Sequence, residues 1–261
     1  MFPLLIDLDG VLRIGKSPAP GLNEFIEFLQ NENRKVCILS NSTLSTSADI
    51  VNFFKRNNIE INFPVITAVD ATAAYVKNKY KSAAVYCSEN VIHAFEGIIS
   101  FDSPEAVVIG DIGGKWNYEI MNEIFNFVFA GADLIAMHKN KFWKDPGKGM
   151  LLDAGAFIAG IEYASGKEAL LIGKPSPFYF EAALNKLGFS LGDKFVMLGD
   201  DLETDIKGAQ EINGISVLIY TGKTKYPLPN GNKIKPDFEA MNLHDVINIL
   251  KNIERTDATQ S

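Results

Sequence analysis

At 261 residues, with 47% hydrophobic and 22% charged side chains, the chain has an ordinary globular composition, with enough apolar material for one α/β domain or two modest ones. Its 32 acidic against 25 basic residues give a formal charge of −7, which argues against nonspecific nucleic-acid binding, because phosphate-backbone affinity comes from lysine and arginine. No apolar run approaches the roughly 18–20 residues of a membrane span, and the entry into "FPLLIDLDG" within two residues leaves no room for a secretion signal, so a cytoplasmic protein is expected.

In chain order, eight short apolar runs read as strands: "PLLI" (3–6), "VCIL" (36–39), "AAVYC" (83–87), "AVVIG" (106–110), "DLIAM" (133–137), "ALLIG" (169–173), "FVMLG" (195–199) and "SVLIY" (216–220). They lack polar alternation, as parallel strands covered on both faces do. Between them lie amphipathic segments. Leu22, Phe25, Ile26 and Leu29 fall on one helical face after "SPAPG", and "SPFYFEAALNKLG" closes a second helix at Gly188. The βαβα rhythm predicts an α/β fold with a doubly wound parallel sheet. Cys37 and Cys87 sit inside strand-like runs and are expected as small core side chains. The stretch 221–237, "TGKTKYPLPNGNKIKPD", reads as a long loop, and the polar end "ERTDATQS" as a frayed terminus.

Ligands of open parallel sheets bind beyond the carboxyl ends of the strands, and four runs end in related polar chemistry. The first ends in Asp7 and Asp9; "VCILSNS" ends in Ser40 and Asn41; "LLIGKPSP" ends in Lys174; "FVMLGDDLETD" ends in Asp200 and Asp201, with Asp205 a turn later. Each alone is an ordinary cap or turn. Together, several carboxylates in one crevice are costly unless a cation sits among them. Carboxylate oxygens without His or Cys suit Mg²⁺, and Lys174 with the Ser40 hydroxyl adds donors for phosphoryl oxygens.

These four segments, in this order and spacing, resemble the motifs of the haloacid dehalogenase (HAD) superfamily. "SNST", "GKPSPFYFEAAL", "MLGDDLETDIKGAQ" and "AFIAGIEYASG" are similar to its NagD-like branch, and "HKNKFW" and "VLIYTGKTK" resemble in particular the subgroup of phospholysine, phosphohistidine and inorganic pyrophosphate phosphatases. The resemblance implies a Rossmann-like core from residues 1–69 and 169–261 and an inserted α/β cap of the C2 type over 70–168. It also implies Mg²⁺-dependent hydrolysis of a small phosphorylated molecule. Carried over by position, Asp7 is the nucleophile and a metal ligand. Asp9 is the general acid and base, its backbone carbonyl reaching the metal. Ser40 and Asn41 hold the phosphoryl group, and Lys174 orients Asp7. Asp200 binds the metal, Asp205 supports the metal shell, and Asp201 matches a variable neighbour.

The basic stretch "AMHKNKFWKDPGKG" reads as a solvated loop or, by its resemblance to the NagD-like specificity loop, as a substrate contact through His138 and Lys139. "GDIGGKWN" (110–117) lacks the ending of a phosphate loop and reads as an ordinary connection. His93 and His244 carry no partner pattern. The phenylalanines at 53, 54, 125, 127 and 129 read as core or interface, so a homodimer is compatible with the sequence. Rival readings are a receiver-like phospho-acceptor, a phosphomutase, and a weakly active interaction protein on the same fold. The retained Asp9 favours a phosphatase over a dehalogenase, because halide leaves without a proton.

Overall fold

The computed structural model describes residues 1–145 and 147–258. Its residues divide into two compact units: Met1–Ser40, Ile50–Ile66 and the chain from Lys174 onward form one, and Asn41–Asp49 with Thr67–Gly173 form the other.

The first unit is built on a six-stranded sheet in the order Phe238–Ala240, Ile215–Ile219, Val196–Gly199, Leu4–Ile6, Val36–Ser40, Val65–Thr67. The register of the central pairs is parallel, Ile6 facing both Ile38 and Leu198. Successive strand side chains point to opposite faces, and both faces are covered. Leu4, Ile6, Val36, Ile38, Val196, Leu198, Val217 and Ile219 pack with Leu22, Phe25, Ile26 and Leu29 of the helix Leu22–Asn31 and with Val246 and Leu250 of the helix Leu243–Ala258. Leu5, Cys37, Leu39, Met197 and Leu218 alternate with the first set and are equally buried. On the helix Pro177–Lys186, Tyr179 is fully buried, its hydroxyl donating to the carbonyls of Ser40 at 2.6 Å and Ile66 at 3.2 Å. Those two bonds tie the ends of neighbouring strands to one helix.

The second unit has its own four-stranded parallel sheet, ordered Leu170–Leu171, Asp133–Ala136, Ala106–Ile109, Ala83–Tyr86. The helix Ala68–Lys79 covers one face through Val69, Ala73 and Val76. The helices Tyr118–Phe129 and Ala154–Ser165 cover the other through Ile124, Val128, Ile158 and Ile161. Cys37 is buried as expected, whereas Cys87 is half-buried at the edge of the second core. Of the five phenylalanines, Phe54 is core and Phe53, Phe125 and Phe127 pack partly against one; Phe129 is exposed.

All eight apolar runs are strands. Elements beyond them are Val65–Thr67, Phe238–Ala240, a short hairpin pairing Arg13–Ile14 with Ser17–Pro18, and an antiparallel hairpin pairing Phe142–Asp145 with Gly149–Leu152. The last replaces most of the loop expected after His138.

Candidate active site

Asp7 follows the strand Leu4–Ile6 directly, and its N–H donates to the Leu198 carbonyl at 2.9 Å, so its backbone is held in the sheet. Ser40 ends the neighbouring strand and is buried, and Asp200 follows the strand Val196–Gly199 on the other side. Lys174 follows the short strand run at 170–171 by three residues and is 2% exposed. Its ammonium bridges two carboxylates, 2.6 Å from Asp7 Oδ1 and 2.7 Å from Asp205 Oδ1. One buried cation thus fixes the carboxylates that open and close the site.

Asp205 lies in a π-helical turn, Leu202–Lys207, whose approach to the strand depends on Gly199. A Cβ at Gly199 would lie 2.3 Å from the Asp205 side chain. From there Asp205 Oδ2 accepts the N–H groups of Asp200 at 3.2 Å and Asp201 at 3.1 Å. Both Asp205 oxygens are therefore engaged, one by Lys174 and one by backbone. Asp201 is a cap: its Oδ1 accepts from Glu203 N at 2.9 Å, and its other oxygen pairs with Lys223, which holds its carboxyl below the usual range despite the opposing effect of burial.

The Asp200 carboxylate sits in a cradle the sequence reading missed. A Cβ added at Gly10 would fall 2.0 Å from Asp200 Oδ2, and one at Gly222 would fall 1.7 Å from it. Any side chain at either position would occupy the place of the carboxylate. The segment after the strand Ile215–Ile219 closes the cradle: Lys223 N donates to Asp200 Oδ2, Thr224 N donates to the Asp200 carbonyl at 3.1 Å, and the Thr221 hydroxyl donates to the Gly10 carbonyl at 2.5 Å. "SVLIY" is an apolar run ending in polar residues like the other four, and reading its end in the same way would have found Thr221.

Asp7, Asp200 and Asp205 each offer a carboxylate oxygen within 4.8 Å of the others, all buried. Burial raises Asp7 well above the usual carboxylate range, with Lys174 opposing and Asp205 and Asp200 adding to the rise. Asp205 is raised by burial against the pull of Lys174. Asp200 is pushed up to about 7 by burial and then by Asp205, with the Lys223 N–H opposing. For Lys174, burial works against its charge but Asp205 and Asp7 outweigh it, so its ammonium is held charged. Fully ionised, three carboxylates around one ammonium would leave two uncompensated negative charges in a buried space. That is the balance a hard divalent cation restores, so the donor set fits such an ion.

The Asp9 side chain is outside this group. It is 53% exposed and paired with Arg13, Nε donating to Oδ1 at 2.8 Å and Nη2 to Oδ2 at 3.0 Å. Asn41 belongs to the second unit, its Oδ1 2.7 Å from where a Cβ on Gly173 would lie. His138 and Lys139 also lie in the second unit and are committed there. His138 is 4% exposed; its Nδ1 accepts from Asn140 N at 3.1 Å and its Nε2 faces Asp153 Oδ1 at 3.6 Å. Burial holds it below its usual value, with Asp153 and Asp111 opposing. Lys139 pairs with Glu162 Oε1 at 2.7 Å, the oxygen that also accepts from Ala169 N.

Residues 4–98 match the profile of haloacid dehalogenase-like hydrolases, and residues 171–246 match a second HAD hydrolase-like profile. Mouse haloacid dehalogenase-like hydrolase domain-containing protein 2 is 31% identical over 234 residues, covering 89% of this chain and 88% of its own. The chain belongs to the haloacid dehalogenase-like hydrolases. Within them it falls in the NagD-like branch: NagD from E. coli K-12 superposes with a TM-score of 0.81 at 26% identity, covering 93% of this chain and 97% of NagD. The bovine phospholysine phosphohistidine inorganic pyrophosphate phosphatase is 28% identical over 254 residues, covering 95% of this chain and 93% of its own. The HAD-like protein is accordingly an enzyme, a hydrolase of the phosphatase type on a Rossmann-like core with an inserted α/β unit. Among its described residues no helix is long and apolar enough to cross a membrane.

Proposed function

We propose that this chain is a Mg²⁺-dependent phosphatase of small phosphorylated molecules that works through an aspartyl phosphate on Asp7. The observation that carries the reading is Lys174 clamped between Asp7 and Asp205 inside a three-carboxylate cluster. In the first step an Asp7 oxygen attacks phosphorus, the bond from phosphorus to the leaving oxygen breaks, and Asp9 gives that oxygen a proton. In the second, water attacks the phosphorus of the aspartyl phosphate, Asp9 takes the proton, and Asp7 is regenerated as phosphate leaves. Splitting one slow hydrolysis into two displacements is the gain of a carboxylate nucleophile.

Asp7 and Asp200, with the Asp9 backbone carbonyl, would hold the ion, and Asp205 would steady it from behind through the backbone it caps. Bound Mg²⁺ supplies the charge that keeps these carboxylates ionised and offsets the phosphoryl oxygens. Lys174 keeps Asp7 oriented, and Ser40 and Asn41 donate to the phosphoryl group. The second unit acts as the cap domain, its bounds moved from the expected 70–168 to Thr67–Gly173 with Asn41–Asp49 because the strand Leu170–Leu171 pairs with Asp133–Ala136, and His138 and Lys139 are its substrate contacts. Lys139 must exchange Glu162 for the substrate to do so. The similarity to the phospholysine phosphohistidine inorganic pyrophosphate phosphatase supports pyrophosphate and phosphoramidates as the substrates to try first.

The test is phosphate release from p-nitrophenyl phosphate, pyrophosphate, phosphohistidine, phospholysine, sugar phosphates and nucleotides, with Mg²⁺ or with chelator. Repeated turnover of at least one substrate, lost on chelation and restored by Mg²⁺, is expected. Undiminished turnover in chelator would overturn the metal assignment. Binding without turnover across the panel would favour the interaction protein.

A further inference from the structure

A general acid must present a carboxyl oxygen to the leaving group, yet both oxygens of Asp9 are taken by Arg13. The arginine is not a loose surface partner. It sits in the short hairpin strand Arg13–Ile14, its carbonyl accepts the Gly10 N–H at 2.8 Å, and Asp9 and Arg13 also form a backbone bridge. Its guanidinium lies 5.4 Å from the centroid of the Phe53 ring, which packs against the core, and its side chain is 19% exposed against 53% for Asp9. The fork geometry of guanidinium on carboxylate fixes orientation as well as distance. Held on three sides, Arg13 is the fixed partner and Asp9 the movable one.

We infer that Arg13 is a positioning residue, a latch that holds Asp9 in a non-reacting orientation outside the Asp7, Asp200 and Asp205 cluster until it swings to the leaving oxygen. The inference rests on the phosphatase reading and on Asp9 as its acid. In each turnover Asp9 gives up at least one of its two bonds to Arg13, takes a proton from water and hands it to the leaving oxygen, then recovers a proton from the attacking water and releases it to solvent on returning to Arg13. In kcat/KM, which runs only as far as departure of the leaving group, that exchange matters only for substrates whose leaving group needs the proton. p-Nitrophenolate departs without one, whereas phenolate, of nearly the same shape, does not leave well unprotonated.

The experiment compares kcat/KM for phenyl phosphate with kcat/KM for p-nitrophenyl phosphate in wild type, Arg13→Met, Arg13→Lys and Asp9→Asn. Methionine keeps apolar packing on Phe53 while removing the fork. Released from an exposed pair of this kind, Asp9 should raise the phenyl to nitrophenyl ratio about two- to fivefold in Arg13→Met. Arg13→Lys, a point charge without the fork, should fall between that variant and wild type and serves alone if the methionine variant does not fold. An unchanged or lowered ratio in the Arg13 variants overturns the latch, since a purely structural loss would lower both esters together. If Asp9→Asn leaves the ratio untouched, Asp9 is not the acid and the underlying reading fails with it. Wild type turning over neither ester, nor any other substrate of the panel above, refutes the phosphatase reading itself.

Discussion

Lys174→Met lowers kcat by about 10²-fold or more and, without divalent cation at neutral pH, lowers folding stability by about 3–5 kcal/mol, the cost of removing one partner from a buried ion pair. The size follows from the surroundings: the ammonium is 2% exposed and reaches Asp7 and Asp205 at 2.6 and 2.7 Å. Methionine fills similar space but leaves three buried carboxylates with no cation. They respond by holding protons, so the penalty shrinks as the pH falls toward the ordinary carboxylate range. Urea unfolding in chelator at pH 5 and pH 8 should show the larger loss at pH 8. Added Mg²⁺ should recover part of the stability but not the activity, because Asp7, the proposed nucleophile, loses its orientation; a fall of about 10²-fold or more in kcat is the scale for one electrostatic donor. A stability loss below about 1 kcal/mol at pH 8 would contradict the buried clamp.

The wild-type protein without cation becomes less stable as the pH rises from about 4 to about 7, and divalent cation reverses the trend. The sign follows from Asp200, whose carboxyl is pushed from 3.8 up to about 7. Between those values the folded chain keeps a proton that the unfolded chain has released, so stability falls with rising pH across that window. Asp7 and Asp205, raised for the same reason, add to the fall. His138 acts the other way. Its folded value is lowered, so the unfolded chain binds the proton first and stability is lost as the pH drops through about 6.5. The difference between loaded and unloaded protein removes the His138 contribution, which lies in the other unit. Calorimetric Tm values with Mg²⁺ and with chelator should therefore separate by more at pH 8 than at pH 5, each 1 kcal/mol amounting to about 2–4 °C for a chain of this size. A larger separation at pH 5 would mean that the cluster is not where the cation binds.

Much of this site was legible because its chemistry falls at the ends of apolar runs. Parallel strands covered on both faces leave continuous apolar stretches, and the residue that follows each is where the chain emerges. Asp7, Ser40 and Asp200 stand at such places. What stayed hidden carries no such signal. The strand Phe238–Ala240 is three residues long with Glu239 at its centre, and the hairpin strands Phe142–Asp145 and Gly149–Leu152 flank the Lys-, Pro- and Gly-containing sequence "KDPGKG", which reads as loop. Gly10 and Gly222 act through the absence of a side chain, and only the approach of Asp200 between them shows why. Lys139 reads as part of a solvated loop or as a substrate contact because its partner Glu162 is 23 residues on, in the helix Ala154–Ser165. Nothing in "DLDGVLR" announces that the chain turns back to bring Arg13 onto Asp9.

The central claim is that phosphorus passes through Asp7 rather than directly to water, and the stereochemical course at phosphorus tests it most directly. An isotopically chiral phosphorothioate ester is hydrolysed with Mg²⁺ in labelled water and the configuration of the product is determined, with Asp7→Asn run beside the wild type. Two in-line displacements give net retention, and Asp7→Asn gives no product. Inversion would mean a single attack by water and would contradict the nucleophile assigned to Asp7.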